Sequence, residues 1–218
     1  MTAVTPKPAA TTPTAKMIRM LGAVSLACGL LIVGTNLLTF NRIRSNTEVI
    51  MKESIAELLP SIDKQVVYRI EANGELTILH GLEGEGQRLF AGFDAAGKFL
   101  GVVLEANGRG YADVIVAMYA YAPESKTITG FKVVEMHETP GLGDRIGSDP
   151  QFAENFKALD ATHPIAAVKH GTKKNAWEID ALSGATISSR AVGRMLQKSM
   201  EELDPVVTKN LDRIKRGN

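Results

Sequence analysis

The chain has 218 residues with 25 basic and 24 acidic side chains, so its formal net charge is +1. A near-neutral chain lacks the positive electrostatic field that attracts the phosphates of a nucleic acid, so we expect no nucleic-acid partner. Its one cysteine, Cys28, excludes an intrachain disulfide, a cysteine-ligated iron–sulfur cluster and a Cys-based zinc site within this chain. Any redox function must therefore rest on another group.

The N-terminal region divides into a polar tail and an apolar run. Residues 1–16 are rich in Thr, Pro and Ala and predict a disordered tail, because they cannot bury enough apolar surface to fold. Residues 20–40 carry no charge, and a helix of that length spans about 30 Å, the thickness of a bilayer's hydrocarbon core. We predict a transmembrane helix over residues 17–41.

Two alternatives for the apolar run are a secretory signal peptide and a buried helix of a soluble domain. A signal peptide has a shorter apolar region that ends in small residues, whereas this run ends at Thr39 and Phe40. A buried helix rarely continues so long without a charge. Basic residues flank both ends and leave the orientation undecided by charge. We expect a cytoplasmic N-terminus, because a short basic tail is usually retained.

The remaining sequence predicts a stalk helix and one α+β domain. Ser45 and Glu48 form a capping box that predicts the stalk helix over residues 45–60. Mixed strand and helix periodicities predict the domain over residues 61–204, and a C-terminal tail follows over residues 205–218. The elements predicted in the domain are strands at residues 66–70, 76–79, 98–104, 114–121, 127–136 and 176–179, and helices that start at residue 149 and span residues 187–203.

The first candidate site is residues 183–189 (Ser-Gly-Ala-Thr-Ile-Ser-Ser), between a predicted strand and the last helix. The small residues Ser183, Gly184 and Ala185 let a ligand approach the backbone. The first-turn amides of a helix favour an anion such as phosphate, and Thr186 places a hydroxyl beside them. The alternative is a helix cap of Ser and Thr without any ligand, since both residues are common caps.

The second candidate site is residues 138–144 (Glu-Thr-Pro-Gly-Leu-Gly-Asp). Gly141 and Gly143 flank Leu142 in a rigid loop whose backbone can lie against a flat ring while the leucine supplies apolar contact. An ordinary turn between a strand and a helix is the alternative. A third glycine-rich stretch, residues 107–111, lacks the glycine spacing and the following helix of a Rossmann fingerprint.

No motif for independent catalysis accompanies these sites. The four histidines lack metal-ligand spacing, and the sequence has neither a Gly-x-Ser-x-Gly elbow nor a Walker loop. We therefore expect no catalytic residue and no metal site, and we expect Trp177 in the core rather than against a cofactor. The histidines are His80, His137, His163 and His170.

Three motifs in this order, behind one N-terminal anchor, resemble the G subunit of Rnf-type ion-translocating electron transport complexes. They are residues 108–111 (Gly-Arg-Gly-Tyr), residues 137–144 (His-Glu-Thr-Pro-Gly-Leu-Gly-Asp) and residues 183–189. The sequence is also similar to the C subunit of Na+-translocating NADH:quinone reductases. The resemblance implies a single transmembrane helix followed by a mixed α/β domain that binds FMN.

The resemblance also implies roles for particular residues. In this family a separate flavin transferase uses FAD to join the FMN phosphate to the threonine of Ser-Gly-Ala-Thr, which is Thr186 here. The resemblance also places Thr139 and Leu142 against the flavin ring and a basic residue, Lys169, near that ring. It implies that the two glycines that flank Leu142 shape the loop.

The implied function is electron relay in an ion-translocating ferredoxin:NAD oxidoreductase, without stand-alone catalysis. The implied partners are the other subunits, the flavin transferase and membrane lipid. The resemblance implies a bacterial or archaeal plasma membrane, and our expected orientation puts the FMN domain outside. The alternatives are a C-type subunit of the NADH:quinone reductase and a membrane-tethered flavin sensor or structural subunit without electron transfer.

Overall fold

The computed structural model describes residues 14–79, 81 and 86–217, and the chain divides into two compact units, residues 1–47 and 48–218. In the first unit, helix α1 (Thr14–Leu58) contains the stretch Thr14–Phe40, which has a mean hydropathy of 2.0 and no buried residue. This stretch is long and apolar enough to cross a membrane. Most of the predicted tail, residues 1–13, lies outside the described residues, and its last three residues are helical.

The predicted stalk helix is not a separate element. Helix α1 continues from the apolar stretch to Leu58, so Ser45 lies inside the helix rather than at an N-terminus. A capping box begins a helix only where the preceding residues leave the helical conformation, and residues 41–44 include neither glycine nor proline. In the second unit, the last turns of α1 bury Met51, Ile55 and Leu58.

A seven-stranded antiparallel sheet forms the centre of the second unit, and a parallel pair of strands accompanies it. The order in the large sheet is β2-β1-β3-β4-β5-β6-β7, and β8 pairs with β9. The strands are β1 (Lys64–Ile70), β2 (Leu76–Leu79), β3 (Arg88–Phe93), β4 (Phe99–Arg109), β5 (Val114–Ala122), β6 (Thr127–Glu135), β7 (Leu159–Asp160), β8 (Ala166–Val168) and β9 (Glu178–Asp180). This mixed α/β architecture confirms the predicted fold class.

Helices cover both faces of the large sheet. Successive side chains of a strand point to opposite faces, so Leu104 joins the core under the last long helix while Val103 joins the core under the end of α1. The helices after α1 are a 3-10 helix (Gly143–Gly147), α2 (Pro150–Glu154), α3 (Thr186–Lys209) and α4 (Leu211–Arg216). The sheet is therefore a buried layer between two helical layers.

The sequence does not predict β3, β7 or β8. Strand β3 follows a glycine-rich run and contains Gly92, which usually weakens a strand. Here the glycine has a packing role, because a Cβ on Gly92 would lie 2.5 Å from Cδ1 of Leu59. Close packing of the end of α1 on the sheet therefore explains a glycine that local propensity disfavours.

The prediction of a C-terminal tail over residues 205–218 is wrong for the residues described there. Helix α3 continues through Pro205 to Lys209, and α4 follows it. Proline removes one helical hydrogen bond, but the turns beyond it bury Val207 and Ile214 completely. Their burial against the core holds the chain in place after the proline.

Replacement of Ile214 by alanine tests whether this C-terminal segment belongs to the core. We expect Ile214→Ala to lower the free energy of unfolding by about 2–5 kcal/mol, because it leaves a cavity at a fully buried side chain. The same change at Ile187, whose side chain is 52% exposed, is the control and should alter stability by about 0.5 kcal/mol at most. Denaturant unfolding of the full chain in detergent measures both, and equal stabilities would show that the segment is a tail.

Candidate functional site

Three segments that are distant in the sequence enclose a cavity of about 450 Å³ in the second unit. They are the loop between β4 and β5, the loop after β6, and the N-terminal turn of α3 with the residues before it. The volume falls within the range of about 300–1,000 Å³ that is typical of small-molecule sites. The residues that line the cavity are Tyr111, Glu138, Thr139, Leu142, Gly143, Gly184, Ala185, Thr186, Ile187 and Ser188.

Sheet topology brings the first two segments together. Because β5 pairs antiparallel with both β4 and β6, the end of β4, the start of β5 and the end of β6 are adjacent at the same end of the strands. Helix α3 packs closely on β4, since a Cβ on Gly108 would lie 2.8 Å from Cβ of Met195. The close packing places the N-terminal turn of α3 beside the two loops.

The N-terminus of α3 has no side-chain cap. Its N-cap residue is Ala185, which cannot accept a hydrogen bond through its side chain, and among the described residues no side-chain hydrogen bond caps this helix end. Ser188 donates its hydroxyl to Glu138 over 2.5 Å, and Ser189 donates to the carbonyl oxygen of Ala185 over 2.9 Å. The alternative of a plain Ser/Thr cap is therefore wrong, and the first-turn amides remain available to an anion.

Two glycines of the site adopt a left-handed backbone conformation. Gly141 has a φ of 75° and Gly184 a φ of 82°, a region that side chains disfavour. Gly143 has a different reason to be glycine, because a Cβ there would overlap Oε2 of Glu138 and lie 2.9 Å from Oγ of Ser188. The predicted loop-shaping role of the two glycines around Leu142 thus has two separate physical causes.

Large apolar surfaces remain exposed around the cavity. The exposed fractions are 64% for Tyr111, 50% for Leu142 and 52% for Ile187. Exposed apolar side chains that cluster around a cavity usually mark a ligand or partner site. Together with the uncapped helix end, they fit a ligand with an anionic group and a flat apolar part.

The segment before α3 is held by backbone and side-chain hydrogen bonds. The amide of Ala181 donates to the carbonyl of Val168 over 3.1 Å, and the amide of Leu182 donates to Oγ of Ser189 over 3.1 Å. Arg145 donates to the carbonyl of Ser183 over 3.3 Å. The segment therefore has a defined path into the helix.

Arg145 also joins the site to the helix that follows the glycine loop. Its guanidinium donates to Asp149 over 2.5 Å. This hydrogen bond is the main reason that the pKa of the Asp149 carboxyl lies below its usual range. Burial acts in the opposite direction and raises that pKa, while the hydrogen bond from the Gln151 amide lowers it further. The arginine thus stays paired while it contacts Ser183.

The structure brings most of the predicted site residues into the cavity wall. Thr139, Leu142 and Gly143 line it together with Gly184, Ala185 and Thr186. Ser183, Gly141 and Lys169 are exposed and are absent from the lining among the described residues. The proposed place of Lys169 near a ring thus has no support from the cavity and stays a prediction.

Four lining residues have no predicted role in the site, namely Tyr111, Glu138, Ile187 and Ser188. All four stand in the glycine-rich and Ser-Gly-Ala-Thr motifs, so proximity to those motifs was the available signal. Trp177 is half-buried and stacks on His163 at a centroid distance of 4.2 Å, outside the cavity lining. In the described part of the chain, no group of three or more His, Cys, Asp and Glu side chains could hold a metal ion.

Comparison with known proteins places this site within a family. Residues 110–201 match the FMN-binding domain family, and this range includes the whole cavity lining. The G subunit of the ion-translocating oxidoreductase complex of Methanosarcina acetivorans is 33% identical over 153 residues, which cover 69% of this chain and 73% of that protein. The chain belongs to the family of G subunits of ion-translocating oxidoreductase (Rnf-type) complexes, so the predicted resemblance is confirmed.

Relatives of the NADH:quinone reductase type are also similar. The C subunit of the Na(+)-translocating NADH-quinone reductase of Neisseria meningitidis serogroup A is 34% identical over 101 residues, or 44% of this chain and 39% of that protein. The crystal structure of Shewanella oneidensis NqrC superposes with a TM-score of 0.53 at 25% identity and covers 73% of this chain and 87% of that chain. The two kinds of protein therefore share the domain described here.

Two alanine substitutions in the glycine loop separate its two constraints. We expect Gly141→Ala to cost about 1 kcal/mol through its backbone conformation alone, because a Cβ there meets nothing within 4 Å. Gly143→Ala should cost more, about 1–3 kcal/mol, because the new Cβ must displace the Glu138 carboxylate. Thermal unfolding of both variants measures the difference, and a Gly141→Ala variant at least as destabilised as Gly143→Ala would contradict it.

Proposed function

We propose that the cavity holds FMN attached covalently to Thr186 and that the chain is a membrane-anchored, electron-relaying subunit. The observation that carries this proposal is the uncapped N-terminus of α3, where Thr186 lines a cavity with an apolar rim. Membership of the G-subunit family and the FMN-binding match of residues 110–201 support the choice of FMN. The cavity fits the group, because it combines an anion-binding helix end with surfaces suited to a flat ring.

The residues of the site have distinct tasks in this proposal. The first-turn amides of α3 stabilise the negative charge of the phosphate, and the helix dipole adds to this. Leu142, Tyr111 and Ile187 offer apolar surface to the ring system, while Thr139 offers a hydroxyl. Gly143 and Gly184, which line the cavity, let the backbone approach the ligand.

Attachment uses the hydroxyl of Thr186. Its oxygen forms a bond to the phosphorus of the FMN half of FAD, the bond between that phosphorus and the oxygen bridging to AMP breaks, and AMP leaves with that oxygen. The hydroxyl proton passes to the flavin transferase or to solvent. Bound FMN supplies one- and two-electron redox chemistry, and the protein contributes binding, orientation and charge.

A covalent tether suits electron relay between fixed partners, because a tethered cofactor cannot diffuse to a soluble substrate. The apolar stretch of α1 provides the membrane anchor. The partners are the other subunits of an ion-translocating ferredoxin:NAD oxidoreductase, the flavin transferase and membrane lipid. We place the N-terminus in the cytoplasm of a bacterial or archaeal cell and the FMN domain on the outer side of the plasma membrane.

A C-type subunit of a Na+-translocating NADH:quinone reductase is the second candidate. It is favoured by the similarity to NqrC over 73% of this chain. The sequence match to the Methanosarcina G subunit extends over 153 residues, whereas the match to the Neisseria C subunit extends over 101. We therefore favour the G-type role.

Replacement of Thr186 tests the attachment. Full-length protein expressed with a flavin transferase should give a fluorescent band under ultraviolet light on a denaturing gel, and Thr186→Ala should abolish that band. Thr172→Ala, an exposed threonine outside the cavity, is the control and should keep it. A wild-type chain without fluorescence would contradict covalent attachment and favour a structural role.

The single cysteine makes the orientation measurable. In a Cys28→Ser background, a membrane-impermeant maleimide should label Thr172→Cys in intact cells, because this residue is exposed in the FMN domain. Thr14→Cys, at the start of α1, should be labelled only after the cells are opened. The reverse pattern would place the FMN domain in the cytoplasm.

A further inference from the structure

One buried carboxylate connects all three segments that enclose the cavity. Oε1 of Glu138 accepts hydrogen bonds from the backbone amide of Ala112, over 3.0 Å, and from that of Asp113, over 3.5 Å. Its Oε2 accepts the hydroxyl of Ser188 over 2.5 Å. Glu138 itself stands in the loop after β6, so one side chain joins the β4–β5 loop, its own loop and the first turn of α3.

The surrounding backbone is shaped around this carboxylate. A Cβ on Gly110 would overlap Oε1, and a Cβ on Gly143 would overlap Oε2. Glycines at both positions therefore leave room for the charged group between the two loops. Glycine has no conformational need at either position, since neither has a positive φ.

Burial of this carboxylate needs a reason. Glu138 is only 8% exposed, and burying a charged group is costly unless hydrogen bonds compensate for the lost water. Two backbone amides and one hydroxyl supply that compensation here. Hydrogen bonds to a charged acceptor are stronger than neutral ones, so the three segments are held firmly relative to one another.

We propose that Glu138 is a positioning residue, which fixes the three segments around Thr186 before the flavin is attached. This inference rests on the proposed attachment of FMN to Thr186. Ser188 stands two residues after Thr186 in the same helical turn, so its hydrogen bond to Glu138 sets where the Thr186 hydroxyl lies relative to Leu142 and Tyr111. Loss of this connection lets the helix end and the loops move apart, and a misplaced hydroxyl reacts slowly.

Four variants of the full-length chain test the proposal through the rate of flavin attachment. Purified protein without flavin is mixed with flavin transferase and FAD, and intact mass reports the attached fraction with time. We expect Ser188→Ala and Glu138→Ala to slow attachment by about tenfold or more. Glu138→Gln should attach faster than Glu138→Ala, because glutamine fills the same space, accepts from the Ala112 amide and can donate to Ser188.

Ser199→Ala is the matched control. Ser199 is also a buried serine of α3, but it bonds to Tyr119 and lies away from the cavity lining. It should attach flavin at the wild-type rate. Attachment at the wild-type rate by both folded Ser188→Ala and folded Glu138→Ala would overturn the proposal, and so would a Ser199→Ala variant as slow as Ser188→Ala.

Amide hydrogen exchange separates this proposal from the proposed function. Ser188→Ala should speed exchange at the amide of Ala112, which is distant in sequence but shares the same carboxylate. Ser199→Ala should leave that amide unchanged. If the wild-type chain attaches no flavin, the proposed function fails while this coupling still supports the role of Glu138; unchanged exchange in Ser188→Ala would overturn that role.

Discussion

The first turn of α3 presents backbone amides that no side chain caps within the described part of the chain. A Ser, Thr, Asp or Asn at the N-cap usually stabilises a helix by about 0.5–2 kcal/mol relative to alanine, yet the N-cap here is Ala185. The nearby serines are engaged elsewhere, with Ser188 bound to Glu138 and Ser189 bound to the carbonyl of Ala185. The chain thus forgoes a common source of helix stability at the position where Thr186 meets a cavity. A bound phosphate would satisfy the same amides.

The sheet gives this helix end its surroundings. Antiparallel pairing of β5 with both neighbours places two loops at the same end of the strands, and Gly108 lets α3 lie close on β4. Within that frame, Glu138 joins the two loops to the helix. Backbone pairing, close packing and one buried carboxylate therefore define the shape of the site.

Local sequence signals predicted the parts of the site that lie within one motif. The glycines at positions 141 and 184 have the positive φ values that a tight loop requires, and Thr186 stands at the first position of the helix. The contact of Glu138 with Ala112 joins residues 26 apart, and only the strand order reveals it. The signal for Glu138 was its place next to Thr139, but a glutamate before a turn is usually exposed.

The wrong predictions about the fold have the same physical origin. The capping box at Ser45 is a valid local signal, but the helix that surrounds it already continues from the apolar stretch. Strand β3 and the turns after Pro205 look unfavourable locally, and tertiary packing of Gly92, Val207 and Ile214 stabilises them. Local propensity is a weak guide wherever burial decides the outcome.

We propose that the uncapped end of α3 carries a covalently bound flavin phosphate at Thr186. Tandem mass spectrometry of protein matured by the flavin transferase tests it most directly, because fragmentation assigns the modification to one residue. We predict a single FMN adduct, located on Thr186, with Ser183, Ser188 and Ser189 unmodified. An adduct on one of these serines, or a matured protein without any adduct, would contradict attachment at Thr186.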